Sequence, residues 1–319
     1  MHIHHQSIFI SRAVSILFTL IIIGLFYYVL LNWHGANIAL LGTVLFVTSS
    51  WFLHFARQAT PDILTLSLLA TLAYGTWLRK TRRSALVILF GVAIAVGLVY
   101  IPGLLWFVIV GGIWQRKSIL EPTKNAKLSF FPIVLLGGLL LVPLILALVR
   151  QPALIKTLIG LPAQLPKPYD YLRHTLNVPY QIFFKGPDAP VLWLGRLPLL
   201  DLFTAVMSLL GVFAYYKKLK LDRTRMLFGT LLIGTLLVGL RGPVSIIVLM
   251  PYLYFLATAG IAYMLNQWYS VYPRNPLARS LGYGLIIIAI FLASYYNLRN
   301  YFVAWPNTPA TKQAYHLRS

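Results

Sequence analysis

The stretch Ala13–Ala56, AVSILFTLIIIGLFYYVLLNWHGANIALLGTVLFVTSSWFLHFA, holds no Asp, Glu, Lys or Arg. A helix needs roughly 20 apolar residues to cross the hydrocarbon of a bilayer. The stretch is therefore long enough for two spans, with Asn32, His34, Gly35 and Asn37 marking the turn between them. The same pattern recurs along the chain. Ile63–Leu78, Ser84–Trp114, Leu128–Val149, Leu202–Tyr216, Met226–Leu240, Gly242–Pro273 and Ser280–Leu298 are equally free of those four residue types.

Read by length and breakers, these runs predict ten helices, near 13–33, 36–56, 61–78, 84–101, 102–114, 128–149, 198–216, 226–240, 243–265 and 280–298. The run 84–114 is too long for one span and is interrupted at Pro102-Gly103. A tight hairpin with two short arms accounts for it. A single bent helix is the alternative, and would reverse the topology after it.

Whole-chain composition agrees. Of 319 residues 59% are hydrophobic and 10% charged, against about one quarter charged in soluble domains. Disorder needs the opposite balance. The absence of cysteine excludes disulfides, iron–sulfur clusters and cysteine-ligated zinc. The expected fold is an all-α polytopic membrane protein with about ten transmembrane helices and one long extracytoplasmic loop. Its expected organisation is a transmembrane module over 1–149, a loop with an interfacial helix over 150–197, a second transmembrane module over 198–298 and an extracytoplasmic tail over 299–319.

The net charge of +21, from 27 Lys+Arg against 6 Asp+Glu, often signals nucleic-acid binding. Here the basic residues lie between uncharged apolar runs, so no nucleic-acid partner is expected. With ten alternating helices, Arg79–Arg83, Arg116–Lys127, Lys217–Arg225 and the pair Arg274 and Arg279 fall on one face. The positive-inside rule makes that face cytoplasmic. The remaining basic residues face outward over Asp62, Asp170, Asp188 and Asp201. The outer face is thus itself basic, and the N-terminus lies outside although Met1–Gln6 lacks the basic n-region of a signal peptide.

Three outer features could carry chemistry. In His54-Phe55-Ala56-Arg57-Gln58-Ala59-Thr60-Pro61-Asp62, Pro61 and Asp62 suit a helix first turn. Arg57 either pairs with Asp62 or snorkels to headgroups, or the two line a site at the membrane edge. Arg241-Gly242-Pro243 lies between two spans. It is either an interfacial snorkelling arginine or a guanidinium held to grip a phosphate. The 150–197 loop is rich in proline and aromatic residues, and a loop this long is functional or disordered. Tyr169, Leu172 and Leu176 share one face of a short helix there, with Lys167, Arg173 and His174 beside it. That helix is either an aromatic anchor or a lid over a lipid-linked substrate.

Other features carry less. His2, His4 and His5 lack a carboxylate partner, so a metal site is not expected. No cofactor is indicated, and a divalent cation is left open. There is no G-x-x-x-x-G-K-[ST] loop and no pair of neighbouring carboxylates. Mid-span charges of the kind ion-coupled transporters use are also missing.

The run from Ser11-Arg12 through the first span, then Ser49-Ser50-Trp51, His54-Phe55-Ala56-Arg57 and Pro61-Asp62, resembles part of the GT-C superfamily. It is most similar to the dolichyl/polyprenyl-phosphate-mannose–protein mannosyltransferases (glycosyltransferase family 39, with its aminoarabinose-transferase-like members). A second similar segment is Leu240-Arg241, Val244–Leu249, Met250-Pro251-Tyr252 and Leu256-Ala257-Thr258-Ala259-Gly260, with Gly242 where the family has an aromatic residue. Tyr301-Phe302-Val303-Ala304-Trp305-Pro306 resembles the start of the family's extracytoplasmic C-terminal part.

The resemblance implies transfer of a sugar from a polyprenyl-phosphate donor to a lipid, glycan or protein acceptor on the outer face of the cell membrane. It implies Arg57, Arg241 and Arg173 at the donor phosphate, with Lys167, His174 and Tyr169 as loop contacts. The family's catalytic carboxylate lies in the first outer loop, ahead of the span at which this chain starts. The expectation is a chain short of one helix and that loop, either cut short or with a genuine short start. Asp62 is then a supporting residue. Loss of a general base typically costs 10²–10⁴ in rate, so the chain as it stands is either a weakened transferase or an inactive one. The alternative from another class is a lipid-linked-glycan transporter or a non-catalytic membrane scaffold.

Overall fold

The computed structural model describes residues 2–57, 61–78, 85–113, 130–187 and 197–316, and it is helical, with no strand among the described residues. In chain order the elements are α1 (His2–His34), α2 (Ala36–Val47), α3 (Ser50–Arg57), a 3-10 turn (Pro61–Leu68) continuing into α4 (Leu69–Leu78), and α5 (Ala85–Val99). Helix α6 covers 105–113. Then come α7 (Phe130–Arg150), α8 (Leu154–Ile159), α9 (Pro168–Phe183), α10 (Leu202–Tyr216) and α11 (Asp222–Gly239). A 3-10 turn (Ile246–Leu249) leads into α12 (Met250–Val271). Helix α13 (Pro276–Arg299) passes through a π-helical stretch (Asn300–Ala304) into α14 (Trp305–Asn307), and α15 (Pro309–His316) follows.

Each of the ten segments expected to be helical contains a helix. Among the described residues three stretches are long and apolar enough to cross a bilayer: Ala13–His34, Ile246–Val271 and Pro276–Asn307. A fourth arises if α2 and α3 count as one span. Ile63–Leu78, Ile88–Val99, Leu135–Arg150 and Leu202–Tyr216 are apolar but shorter than the roughly 20 residues a straight crossing needs. The break at Pro102-Gly103 is present between α5 and α6, with Gly103 at φ 76. The basic stretches 79–83 and 116–127 lie outside the described residues.

The expected single helix over 36–56 is instead two, meeting at 66°. The reason is local side-chain chemistry. The Thr48 hydroxyl donates to the Val44 carbonyl at 2.8 Å, and the Ser49 hydroxyl to the Phe46 carbonyl at 2.6 Å. Hydroxyls that satisfy their own backbone let a helix break inside an apolar environment. The Ser50 N–H, orphaned at the start of α3, is taken by Asn297 Oδ1 at 3.3 Å.

Contacts gather the chain into two compact units. The first comprises Met1–Ile63, Asn177–Leu219 and Met250–Ser319. At its centre α12 is buried at every residue from Met250 to Ala262, as expected of a helix apolar all round. Helix α10 packs along it, with α1, α2 and α13 around it. Phe26 stacks on Phe46 at 4.2 Å and on Phe255 at 4.5 Å, which joins α1, α2 and α12 through offset ring packing. Outward faces are apolar too: Leu17 and Leu20 on α1, and Ile288, Phe291 and Leu292 on α13, are all exposed. Large continuous apolar surface of this kind belongs against lipid rather than water.

The second unit comprises Leu64–Leu176 and Lys220–Leu249. In it α5 packs on α4 and α7, and α11 packs on the 3-10 turn that precedes α12.

Candidate functional site

Arg241 stands immediately after α11. Its backbone N–H closes on the Val238 carbonyl at 3.0 Å, and its φ of 53 is the only positive φ at a non-glycine residue among the described residues. A helix often ends on a left-handed residue at this position, and the residue is usually glycine. Here the glycine comes one residue later. Gly242 packs so closely on the Gly160 carbonyl that a Cβ would collide with it. Arginine is therefore left in a conformation that costs an L-residue about 1–2 kcal/mol. Its side chain is exposed.

The same end of the second unit receives the first turns of α9. The Tyr171 hydroxyl donates to the Leu236 carbonyl at 3.3 Å, and Gly239 sits directly against Thr175, with no room for a side chain. The structure thus brings the 160–175 stretch alongside the end of α11, next to Arg241. Lys167, Tyr169 and Arg173 are exposed on that stretch. His174 is partly buried, and its Nδ1 has no hydrogen-bond partner among the described residues.

Along α9, Tyr169, Leu172, Leu176 and Tyr180 are all exposed, with Phe184 just beyond. Their spacing of three to four residues places them on one face. An exposed apolar stripe on a helix with polar residues elsewhere is the form of an interfacial helix. The chain has no cysteine, which gives a clean labelling test. In lipid, a polarity-sensitive dye on Leu172→Cys or Leu176→Cys should report an apolar setting roughly 5–10 Å below the headgroups. The same dye on Arg173→Cys should report water. Water-like emission at all three positions would remove α9 from the membrane surface.

Arg57 is the last residue of α3, in the first unit, and is exposed. Asp62 lies in the 3-10 turn that opens the next element, but its side chain is outside the described residues, as are those of His2, His4 and His5. Asp188 and Trp193 of the long loop lie in the undescribed stretch 188–196.

A further polar cluster occupies the first unit, built of residues the sequence does not mark as a group. Asp201 caps α10. Its Oδ1 accepts from the Thr204 N–H at 2.9 Å, and its Oδ2 from the Thr204 hydroxyl at 2.7 Å. Asn297 on α13 donates to the same Oδ2 at 3.0 Å and to the Ala293 carbonyl at 2.9 Å. Its Oδ1 accepts from the Ser50 hydroxyl at 3.2 Å. His54, 3% exposed, is held edge-on between Tyr301 and Trp305, at 4.8 and 4.5 Å between ring centres.

The π-helical stretch sets those two rings nearly parallel, 4° apart. Ser50, His54, Asp201 and Asn297 all line one cavity of about 540 Å³. The signal for Asp201 was present in the sequence, as an aspartate just before an apolar run, the usual N-cap position. Nothing local linked it to Ser50 or Asn297.

No family model, curated protein or solved structure matches the chain.

Proposed function

We propose that this chain is a multi-pass membrane glycosyltransferase of the GT-C kind. It would have about ten spans in the cell membrane, and would take its sugar from a polyprenyl-phosphate donor on the extracytoplasmic side. The observation that carries the reading is Arg241. A strained backbone that persists where glycine would be relaxed points to a side chain the site needs. A guanidinium is permanently charged and can pair with two phosphate oxygens at once.

Lys167 and Arg173, on the stretch packed beside the end of α11, add positive charge for the same anion. The apolar stripe of α9 suits a lid that rests on lipid while the donor's prenyl chain stays in the bilayer. Arg57 is assigned to the donor phosphate by the family resemblance alone. Acceptors of this reading are a lipid, a glycan or a protein, and no cofactor is required by it.

The test separates backbone strain from charge. Arg241→Gly should leave the chain as stable as the parent, or up to about 1 kcal/mol more stable, because glycine accepts φ 53 freely. The same change should weaken binding of a radiolabelled polyprenyl-phosphate sugar about 100-fold, the equivalent of one or two lost charge-assisted hydrogen bonds. Arg241→Lys should recover part of the affinity. Unchanged binding in Arg241→Gly removes Arg241 from the site. A chain reconstituted in lipid that binds such donors and transfers no sugar to any acceptor overturns the transferase reading, in favour of a carrier or scaffold.

A further inference from the structure

We propose that the cavity in the first unit binds the uncharged hydroxyl end of a long-chain lipid. The argument begins with charge. Among its described lining residues Asp201 is the only charged group, and none is a lysine or arginine. A phosphate or carboxylate brought here would face a buried carboxylate with no cation among the described lining residues to compensate, a costly juxtaposition.

A hydroxyl fits, because it donates one hydrogen bond and accepts others. Asp201 Oδ1 accepts only from the Thr204 N–H among the described residues, which leaves it a lone pair. The side-chain amide of Asn300 and the hydroxyl of Tyr296 also line the cavity and make no hydrogen bond among the described residues. These three groups are available to a ligand, whereas Ser50 and Asn297 are held by the network around Asp201.

Shape agrees with the chemistry. A volume of about 540 Å³ is within the range of small-molecule sites. The remaining lining is apolar, and its members Leu202 and Leu292 are exposed on the outside of the unit. The cavity thus joins a polar recess to the apolar surface that lies against lipid. A head bearing hydroxyls can sit in the recess while its hydrocarbon tail leaves past Leu202 and Leu292. Asn300 opens the π-helical stretch, a feature that is rare and concentrated at functional sites. The assignment of this lipid as the sugar acceptor rests on the transferase reading; its binding does not.

The test uses the full chain in phosphatidylcholine nanodiscs and a C20 isoprenoid alcohol carrying a photoreactive diazirine. Cross-links are expected on Leu202–Phe203 and on the Ala289–Asn300 segment. The unlabelled alcohol should compete at least about tenfold better than its monophosphate, the consequence of the lone carboxylate. Asn300→Ala and Tyr296→Phe, which break no internal hydrogen bond, should each weaken competition roughly three- to tenfold. Ala289→Trp, which fills the cavity, should abolish labelling. Equal or better competition by the monophosphate overturns the proposal, as does undiminished labelling of Ala289→Trp. Alcohol binding without any sugar transfer supports the site and removes only the acceptor role. Transfer to a hydroxyl-headed lipid without labelling of this cavity overturns the site and leaves the transferase reading standing.

Discussion

Gly211→Leu is expected to leave almost no folded protein. At Gly211 a Cβ would collide with the carbonyl of Leu256, and at Gly260 a Cβ would collide with the carbonyl of Met207. The backbones of α10 and α12 therefore touch directly, the arrangement that small residues permit between helices in lipid. A leucine at either position cannot be absorbed by a rotamer change, because the obstacle is main chain. The helices must part, and α12 is the buried centre of the unit. Overpacking alone costs typically 1–3 kcal/mol. Separation also forfeits the contacts along the rest of the interface, so a loss above about 4 kcal/mol is expected.

The check is the monodisperse fraction and thermal midpoint of the detergent-purified protein. Gly24→Leu and Gly284→Leu are the controls. Neither position has an atom within 4 Å of the added Cβ, and each should be neutral or slightly stabilising. If Gly211→Leu behaves like these two, α10 and α12 are not in backbone contact.

Asn297→Leu is expected to cost about 3 kcal/mol, less than Gly211→Leu. The residue is 4% exposed, and leucine keeps the branch at Cγ but none of the polar atoms, so the main loss is one of hydrogen bonding. Four partners are affected: Asp201 Oδ2, the Ala293 carbonyl, and the N–H and hydroxyl of Ser50. The Ala293 carbonyl lies in a helix and keeps another donor. Asp201 loses one of its three donors, and the Ser50 N–H is orphaned at the helix break. A buried polar group left unpaired costs about 1–3 kcal/mol. Pairing in the unfolded membrane state trims such losses, which holds the total near the lower end.

Asn297→Asp should be worse, because it sets a second carboxylate against Asp201 in a buried place. Ser294→Ala, which removes only the 2.9 Å contact with Thr48 Oγ1, should cost less than about 1 kcal/mol. Thermal midpoints for the three variants provide the check. An Asn297→Leu protein as stable as the parent would show that the network does not hold the helices together.

The helices were legible in the sequence wherever a long apolar run ended on a recognisable signal. Pro102-Gly103 marked the α5–α6 break, whereas α10 begins at Leu202, behind its Asp201 cap, rather than at the expected 198. The stripe Tyr169, Leu172 and Leu176 was visible as a helical face before its exposure was known. The break after Val47 was missed because Thr48, Ser49 and Ser50 are small residues that a span tolerates. Only their bonds to nearby carbonyls and to Asn297 reveal that the helix turns there. The left-handed backbone at Arg241 was also invisible, since it follows from the close approach of Gly242 to Gly160 rather than from any preference of arginine.

Taken alone, then, the sequence determined that this is a helical protein with helices apolar enough for a membrane, and roughly where they lie. Those properties depend on composition and on periods of a few residues, and both are written locally. Tertiary structure alone decided which polar side chains share a buried site. Ser50 meets Asn297 across 247 residues of sequence, and Asn297 meets Asp201 across 96. In an apolar interior a polar group must find a partner wherever packing brings one, and no local pattern encodes which distant residue that will be.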